Sequence, residues 1–445
     1  MSSKILRILK IKCKKSNYFI DDFFINRYMN YEFKSVLFLG VGGISMHQLA
    51  LALKSMGVKV FGYDLHKGKY TKLCEDNGIK VVYRFDKDIC NVDLCVKTGA
   101  VNNSKYIKYL KDLNCPIIDR AEMLGWLCNK FKKVIAIAGT HGKSTTASLI
   151  YEILRVAGKK VSCHIGAEVF APRFALGDDY LIVEACEYNK SFLSLFPHIS
   201  VVTNIEREHM DCYDNFFNLQ SAFVTFLKRG NQRFVYLDNS TTFLKKYKNI
   251  NFVGLTNLNF FTKLKGEHNM KNISLAVAVC RSLGIGDEII KKGIKTFGGI
   301  PRRYECIGKF NNAKVYIDYA HHPTEIDAFL KTFNSEFKHN QIIFQPHTYS
   351  RTKTFFTDFI SVLSKVENLI IYKEYSAREK EIVGATAKDL FLEIQKLNSK
   401  VIYCENFKSV FKNLLPNHTL AFVGAGDINL IADKLVKCKN STTTS

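Results

Sequence analysis

Short apolar runs recur along the whole chain, and each is followed by a glycine-rich or polar turn and then by a segment with helical spacing. Examples are residues 36–39, 134–138, 342–344, 369–372 and 420–423. Near-continuous apolar runs of this length are typical of strands that are buried on both faces of a parallel sheet. The alternation of such strands with helices predicts an α/β protein.

The first strand leads into a turn that contains Gly40, Gly42 and Gly43. A helix is predicted over residues 48–56, and the next strand, residues 58–63, ends at Asp64. This order of strand, glycine turn, helix and strand is typical of a dinucleotide or nucleotide-sugar site. Glycines in such turns also serve packing alone, and the spacing is not the G-x-G-x-x-G of dehydrogenases.

A second glycine turn follows the apolar run 134–138, and its residues are Gly139, Thr140, His141, Gly142, Lys143, Ser144 and Thr145. Its glycines allow backbone N–H groups to close on an anion, and the next helix offers its N-terminus. Lys143 would reach the outer phosphates of a nucleotide, and Ser144 or Thr145 would place a hydroxyl on Mg²⁺. The alternative is a plain glycine turn with a surface lysine.

Polar side chains follow two later strands of the same region. Glu184 ends one apolar run, and His209 comes shortly after another. Because open parallel sheets present ligands at the carboxyl ends of their strands, both residues are candidates for a site, although a satisfied ion pair would also explain Glu184. Asn269 and Asn272 are i,i+3 neighbours, so a helix would present both amides to one place.

The last third contains Arg302-Arg303, then Asp318 at a strand end and the pair His321-His322. Two adjacent histidines raise the option of a zinc site, but the sequence offers no third ligand at metal spacing. His347 and Arg351 follow the strand 342–344. We therefore interpret this region as a further doubly wound sheet with ligands at its strand ends.

The composition narrows the function classes. The formal charge is +23, from 64 Lys and Arg against 41 Asp and Glu. The lysines are scattered and form no sustained basic block, so we predict no specific nucleic-acid binding. The 13 cysteines show no C-x-x-C pair and indicate a reducing, cytoplasmic setting. No apolar run approaches the roughly 18 residues of a membrane span.

The ordered motifs of the chain resemble those of the Mur ligases. The matching strings are G-V-G-G-I-S-M, G-T-H-G-K-S-T-T, T-N-I-E-x-E-H-M-D, H-N-x-x-N, G-x-x-R-R-x-E, D-Y-A-H-H-P-T-E-I, F-Q-P-H-x-Y-x-R-T and G-A-G-D-I. They occur in family order and span residues 36–428. R-A-E-M-L at residues 120–124 also matches the family.

The composition of residues 1–34 indicates a basic, partly aromatic N-terminal extension with one short helix, for which a transit peptide is the alternative. The resemblance implies three α/β domains after it. We expect a Rossmann-like domain that binds the UDP-sugar over 35–130 and a central P-loop ATPase-type domain that binds ATP over 131–300. A doubly wound domain that binds the amino acid would occupy 301–445. The oligomeric state is left open between monomer and homodimer.

The implied activity is that of an ATP-dependent amide ligase in peptidoglycan synthesis. Such an enzyme joins L-alanine to the lactyl carboxylate of UDP-N-acetylmuramate through an acyl phosphate. The alternatives are a recycling ligase that attaches a whole peptide to the same sugar and a non-catalytic nucleotide-binding homologue. The preference among alanine, glycine and serine is left open.

The resemblance also implies roles for individual residues. Catalytic roles fall to Lys143, His209, Arg303 and Asp318. The residues expected at ATP are 139–145, Asn269, Asn272 and Arg303. Mg²⁺ would be held by Ser144, Glu184 and His209, where Glu184 is preferred over Glu187 and Glu187 is the fallback for a second metal. The UDP-sugar would contact Gly40, Gly42, Gly43 and Asp64, and the amino acid would contact His347 and Arg351.

One group that the chemistry requires is not identified by the motifs. The attacking amine must be neutral, so a base or desolvation has to remove its proton. Asp318 and His322 are the guesses that the sequence offers.

Several positions depart from the family pattern. Cys186 and Tyr188 stand where polar residues are usual near the substrate, Thr348 occupies a position that is often arginine, and His47 one that is usually serine. All the charged groups of the core chemistry remain, so we predict a working enzyme.

Overall fold

A computed structural model describes residues 32–99, 101, 104–166, 178–377 and 379–438. The short helix predicted within the N-terminal extension lies outside these residues. Strands and helices alternate through the described chain and build three sheets. The prediction of an α/β fold with three sheet-containing parts is confirmed, while the boundaries near residues 130 and 300 stay predictions.

The first sheet has five parallel strands in the order β3-β2-β1-β4-β5. The strands are β1 Ser35–Leu39, β2 Lys59–Tyr63, β3 Lys80–Val82, β4 Leu94–Lys97 and β5 Ile117–Asp119. The helices are α1 Ile44–Ser55, α2 Lys69–Asp76, α3 Lys105–Asp112 and α4 Arg120–Cys128, with a 3₁₀ turn at Lys87–Ile89. This order matches the first five strands of the Rossmann order 3-2-1-4-5-6, so the Rossmann-like prediction is confirmed.

The second sheet has six parallel strands in the order β11-β10-β9-β6-β8-β7. The strands are β6 Lys133–Ala138, β7 Val161–His164, β8 Tyr180–Glu184, β9 Ile199–Val202, β10 Gln232–Tyr236 and β11 Asn251–Val253. The helices are α5 Lys143–Val156 and α6 Phe216–Arg229, with 3₁₀ segments at Tyr188–Ser194 and Thr242–Lys246. The central strand β6 leads directly into the predicted phosphate loop.

The third sheet has six strands in the order β12-β13-β17-β14-β15-β16, of which only β12 runs antiparallel. The strands are β12 Glu305–Phe310, β13 Ala313–Asp318, β14 Asn340–Phe344, β15 Leu369–Tyr372, β16 Ile402–Cys404 and β17 Thr419–Val423. The helices α7 Glu267–Ser282 and α8 Asp287–Thr296 precede it in the chain. The later helices are α9 Pro323–Glu336, α10 Tyr349–Thr354, α11 Phe356–Leu363, α12 Ala387–Gln395, α13 Phe407–Lys412 and α14 Ile428–Cys438.

The described residues divide into two compact units. The first contains the first two sheets and residues 275–289, and the second contains residues 255–274 and the third sheet. Within the first unit, both sheets contribute to one hydrophobic core, in which Phe38 and Met123 belong to the same cluster as Ala136 and Val202. The two sheets are therefore stabilised together.

The helix α4 and the 3₁₀ segment Tyr188–Ser194 approach each other very closely inside the first unit. A Cβ atom at Gly125 of α4 would collide with the backbone carbonyl of Ser194. Glycine is required here because of this packing, since any side chain would push the two backbones apart.

Candidate functional site

The phosphate loop connects the buried strand β6 to the N-terminus of α5. Gly139 and Gly142 have φ values of 140° and 80°, in the left-handed region that favours glycine. A side chain at position 139 would also collide with Thr203. Because the first N–H groups of a helix have no intrahelical acceptor, the start of α5 offers donors to an anion.

Asn204, just after β9, fixes the shape of the loop. Its backbone oxygen accepts a hydrogen bond from Thr140 N (3.1 Å), and its Oδ1 accepts from His141 N (2.9 Å). The Asn204 amide in turn donates to His141 O at 3.1 Å. These bonds hold the loop in one conformation, and they use the N–H groups of its second and third residues.

Lys143 is surrounded by acceptors. Its ammonium group donates to the carbonyl oxygens of Gly139 and Thr140 and forms a 3.0 Å ion pair with Glu187. Only 14% of the Lys143 side chain and 2% of the Glu187 side chain are exposed. Burial lowers the pKa of Lys143, but Glu187 and the neighbouring acidic groups raise it, and the net shift is upward. Lys143 is therefore a cation at neutral pH.

Glu184 lies at the end of β8 and contacts the start of α5. Its Oε2 accepts hydrogen bonds from Ser144 Oγ (2.9 Å) and from the backbone N–H of Gly166 (2.8 Å). The structure thus brings together two of the three predicted Mg²⁺ ligands. Both are oxygen donors, the type that Mg²⁺ prefers.

The third predicted ligand, His209, lies in a cluster with Glu187 and Glu208, whose ligand atoms are within 4.8 Å of one another. Glu187 and Glu208 are 1% and 7% exposed. In the described part of the chain, Oε2 of Glu187 has no hydrogen-bond partner, and a buried carboxylate oxygen in that state is costly. Such a donor set fits a divalent cation.

The glycine turn after β1 is held by hydrogen bonds within the turn, to the backbone of Tyr63 and to the Asp64 carboxylate. The N–H group of Gly40 donates to Tyr63 O and that of Gly42 to Asp64 Oδ2, both at 2.8 Å, while Gly43 N donates to Gly40 O at 3.2 Å. The predicted UDP-sugar contacts of Gly40, Gly42, Gly43 and Asp64 stay a prediction, and these hydrogen bonds fix the shape of the turn. The N–H groups in the first turn of α1 are the donors that such a turn offers to an anion.

A polar chain within the first unit links α1 to the second sheet. Arg120 donates to Ser45 Oγ at 3.1 Å, and the same hydroxyl lies 2.8 Å from Nε2 of His164 on β7. Burial and Arg120 lower the pKa of His164 to about 3, so this imidazole is neutral. Burial also lowers the pKa of Arg120. Ser45 and Arg120 belong to the motifs G-V-G-G-I-S-M and R-A-E-M-L, whereas His164 belongs to none of the motifs quoted above.

The second unit places Asn269 and Asn272 on α7, where the two amides contact each other as i,i+3 neighbours. Asn272 Nδ2 lies 3.3 Å from Asn269 Oδ1, and Asn269 Nδ2 donates to Lys265 O at 2.7 Å. The helix predicted for this segment is present.

Asp318, at the end of β13, is buried and holds two backbone segments. Its carboxylate accepts hydrogen bonds from Tyr304 N and Ala320 N, both at 2.7 Å. Burial raises the pKa of Asp318 to about 6, against the opposing effect of Arg303. Arg303 itself pairs with Glu325 at 3.4 Å. Because both carboxylate oxygens are engaged by backbone, Asp318 is placed to position the Arg303 segment.

His347 and Arg351 contact each other across the start of α10. Arg351 Nη1 lies 3.0 Å from His347 Nδ1, and the His347 ring stacks on Tyr375 at 5.6 Å. Burial, His321 and Arg351 lower the pKa of His347 to about 3. Since an arginine only donates, Nδ1 of the neutral His347 is the acceptor, and its proton is on Nε2.

His322 has a local role in the fold. It precedes α9, and its Nδ1 accepts a hydrogen bond from Thr324 N at 3.3 Å. The ring lies edge-on to Phe355, with 4.4 Å between centroids. This geometry is that of a helix cap.

Three family models match the chain in sequence. They are described as the Mur ligase family, catalytic domain (residues 35–132), the Mur ligase middle domain (137–253) and the Mur ligase, glutamate ligase domain (302–431). The chain is 34% identical to the UDP-N-acetylmuramate–L-alanine ligase of Lachnospira eligens, over 90% of this chain and 97% of that one. The ligase of the same name from Acetivibrio thermocellus is also 34% identical, over 93% and 98%. The chain belongs to the Mur ligase family.

Solved structures agree in fold. The UDP-N-acetylmuramate-alanine ligase of Thermotoga maritima matches with a TM-score of 0.78 and 23% identity, over 92% of this chain and 100% of that one. A murein peptide ligase from Psychrobacter arcticus matches with a TM-score of 0.64 and 18% identity, over 91% and 98%. Among the described residues, no helix has the length and apolar character needed to cross a bilayer.

Proposed function

We propose that this chain is an ATP-dependent ligase that joins L-alanine to the carboxylate of UDP-N-acetylmuramate during peptidoglycan synthesis. The relatives that carry this name align over nine-tenths of the chain. The observation that carries the proposal is the phosphate loop, in which a buried Lys143 cation is bordered by Glu184 and Glu187. This arrangement suits a phosphorylation between two anionic reactants.

The triphosphate of ATP would lie on the phosphate loop. Because Asn204 engages the N–H groups of Thr140 and His141, we assign the phosphate contacts to Gly142 and the first turn of α5, residues 143–145. The Lys143 ammonium would exchange its loop carbonyls for outer phosphate oxygens. Asn269, Asn272 and Arg303 would contact the nucleotide, and Asp318 would position Arg303, as the family resemblance implies.

Mg²⁺ fits the carboxylate-rich side of the loop. Ser144, Glu184 and His209 would hold it, and Glu187 and Glu208 are further ligands that the structure brings to His209. The bound cation would offset the negative charge that builds up between the carboxylate and the terminal phosphate. The unpartnered Glu187 Oε2 supports this assignment.

The UDP-sugar would bind at the first sheet. Gly40, Gly42, Gly43 and Asp64 would shape the turn, and the amides at the start of α1 would receive the diphosphate. Arg120, held by Ser45, adds a partly buried cation next to the same helix end.

The amino acid would bind in the second unit at His321, His347 and Arg351, which together are called the amino-acid site. The Arg351 fork would bind the carboxylate of alanine, and His347 would orient the fork through their 3.0 Å contact. The ligand class follows from the Arg351 guanidinium, a permanent cation that is complementary to a carboxylate.

The reaction would proceed in two steps, phosphorylation of the carboxylate and then formation of the amide bond. An oxygen of the substrate carboxylate attacks the γ-phosphorus of ATP, and ADP leaves to give an acyl phosphate. The alanine amine then forms a C–N bond at the acyl carbon, the C–O bond to phosphate breaks, and phosphate leaves with the electron pair. Lys143 and Arg303 would offset the charge of the transferring phosphoryl group.

We also propose a cytoplasmic enzyme without a nucleic-acid partner, either monomeric or dimeric. The cysteines among the described residues form no disulfide bonds, which supports a reducing compartment.

The test is phosphate release from ATP with UDP-N-acetylmuramate present and a panel of alanine, glycine, serine and an alanine-containing tripeptide. We expect the highest kcat/KM with alanine. A higher kcat/KM with the tripeptide would favour the recycling ligase, and no ligated product with any of them would favour a non-catalytic homologue.

A further inference from the structure

We propose that His164 of the second sheet is a positioning residue for the UDP-sugar: through Ser45 it holds the Arg120 guanidinium in place for the diphosphate. The inference deepens the proposed ligase function and rests on it. A strand of the sheet that carries the phosphate loop would thus take part in binding the sugar nucleotide.

Arg120 lies at the edge of the first sheet where an anion would bind. It begins α4 directly after β5, and Ser45 lies in the first turn of α1, whose N–H groups are donors for an anion. Arg120 Nη1 donates to Ser45 Oγ at 3.1 Å, which holds the guanidinium beside this turn. Among the described residues, no carboxylate forms an ion pair with Arg120, and the adjacent Asp119 pairs with Lys97 at 2.7 Å. The charge of Arg120 is therefore available to the diphosphate.

His164 fixes the hydroxyl group that holds Arg120. Because an arginine only donates, Ser45 Oγ is the acceptor of that bond. With this bond alone, the serine side chain could move between its staggered rotamers and take the guanidinium with it. Nε2 of His164 lies 2.8 Å from the same oxygen, and His164 is 3% exposed at the end of β7. Whichever atom donates, this second contact selects one rotamer of Ser45 and therefore one position of Arg120.

The helix α1 is anchored to the same strand end at a second point. Gln48, one turn after Ser45, donates from Nε2 to the carbonyl oxygen of Ile165 at 3.0 Å and is 4% exposed. Two successive residues, His164 and Ile165, thus hold two positions of α1 that lie one turn apart. The start of the helix is therefore fixed relative to the end of β7.

The hydrogen bonds of the next two residues do not depend on the His164 side chain. Ile165 accepts from α1 through its backbone oxygen, and Gly166 donates to Glu184 Oε2 through its backbone N–H at 2.8 Å. A substitution at position 164 keeps the backbone groups that form both bonds. The substitution is therefore expected to act at Ser45 and not at the predicted metal site.

The decisive variant is His164→Leu, which has a similar volume and cannot form the bond to Ser45. We expect the Kd of UDP-N-acetylmuramate, measured by calorimetry, to rise about tenfold, as for loss of one hydrogen bond. KM for the UDP-sugar should rise by the same factor, while kcat and KM for ATP should not change. His164→Gln can place an amide nitrogen where Nε2 lies, and it should keep most of the wild-type affinity.

A double-mutant cycle tests whether His164 acts through Arg120. Arg120→Ala should raise the Kd about a hundredfold, since it loses a charged contact. Adding His164→Leu to Arg120→Ala should then raise the Kd no further. Ser45→Ala removes the hydroxyl between the two side chains and should raise the Kd as much as His164→Leu does. The control is His198→Leu, which should leave the Kd unchanged, because His198 precedes β9 at the opposite edge of the same sheet and accepts a hydrogen bond from Val134 N at 3.1 Å.

A wild-type Kd in His164→Leu or in Ser45→Ala would overturn the inference, and so would a loss of affinity that His164→Gln shares in full. A loss from His164→Leu that persists in the Arg120→Ala background would also overturn it, because His164 would then act on the fold and not on Arg120. If the wild-type protein did not bind UDP-N-acetylmuramate, the proposed function itself would fail, and this outcome is distinct from the others.

Discussion

The two compact units contain sites of opposite electrostatic character. In the first unit, one buried lysine is bordered by carboxylates, and Glu184, Glu187 and Glu208 all lie near the phosphate loop. In the second unit, arginines and histidines dominate and the deeply buried carboxylate is Asp318. The same chain thus contains one site rich in anionic ligands and one rich in cations.

The difference follows from what each site would hold. A nucleotide brings its own negative charge and Mg²⁺ brings positive charge, so a site for both needs a lysine and several oxygen donors. An amino acid presents a carboxylate, for which an arginine fork is complementary. If the two sites have these different roles, variants that lose a charge in the first unit should lower kcat or raise the Mg²⁺ requirement. Variants at Arg351 in the second unit should instead raise the KM for alanine.

The largest effect is expected from Lys143→Ala. Loss of a well-placed charge at a developing anion costs about 3–4 kcal/mol, or two to three powers of ten in kcat. Binding of the UDP-sugar, measured by calorimetry, should change little. Lys132→Ala, which removes an exposed lysine, is the matched control. More than about a tenth of wild-type kcat in Lys143→Ala would remove this residue from the chemistry.

The next effect concerns Asp318 and pH. Since its folded pKa is raised from 3.8 to about 6, its stabilising contribution is present below pH 3.8 and is lost as the pH rises through about 6. The shift corresponds to at most about 3 kcal/mol. In Asp318→Asn this component of the pH dependence should disappear, which urea denaturation between pH 4 and 7 would measure against Asp327→Asn. Identical curves for wild type and Asp318→Asn would contradict it.

A smaller effect separates the two carboxylates of the phosphate loop. Glu184→Gln keeps the size of the side chain and removes a charge from the predicted metal site. The Mg²⁺ concentration for half-maximal rate should therefore rise roughly thirtyfold, which corresponds to about 2 kcal/mol of binding free energy. Glu187→Gln should raise it less and mainly affect Lys143, its ion-pair partner. Reversed magnesium titrations would transfer the metal role to Glu187.

The smallest effect is expected at Arg351. Arg351→Lys keeps the charge but loses the fork, and KM for alanine should rise about tenfold, or 1.4 kcal/mol. KM for ATP should not change. Lys353→Ala, on the exposed side of the same helix, is the control. An alanine KM that stays at the wild-type value in both Arg351→Lys and Arg351→Ala would leave His347 as the better carboxylate ligand.

The sheets could be predicted because their strands are buried on both faces and read as plain apolar runs. The start of α1 was predicted too late, at residue 48 instead of Ile44. Residues 46–50 are all buried, so this segment lacks the one-sided pattern on which helix prediction depends.

The candidate site was predictable where a residue type and its neighbours define the chemistry, as in the phosphate loop. It was not predictable where long-range contacts decide. His164 meets Ser45 across 119 residues, and Gly42 N–H reaches Asp64 across a whole βαβ unit. Nothing in the local sequence indicates that Glu208 joins Glu187.

The contact between Gly125 and Ser194 has a mechanical consequence. The two backbones touch without an intervening side chain, and the sheets on either side share one core. A UDP-sugar bound at the first sheet, as proposed, would therefore be held at a set distance from the phosphate loop by this close packing. The absence of a side chain at position 125 thus sets the distance between the two sheets. Even the methyl group of alanine at this position would push the helix α4 away from the 3₁₀ segment and shift one sheet relative to the other.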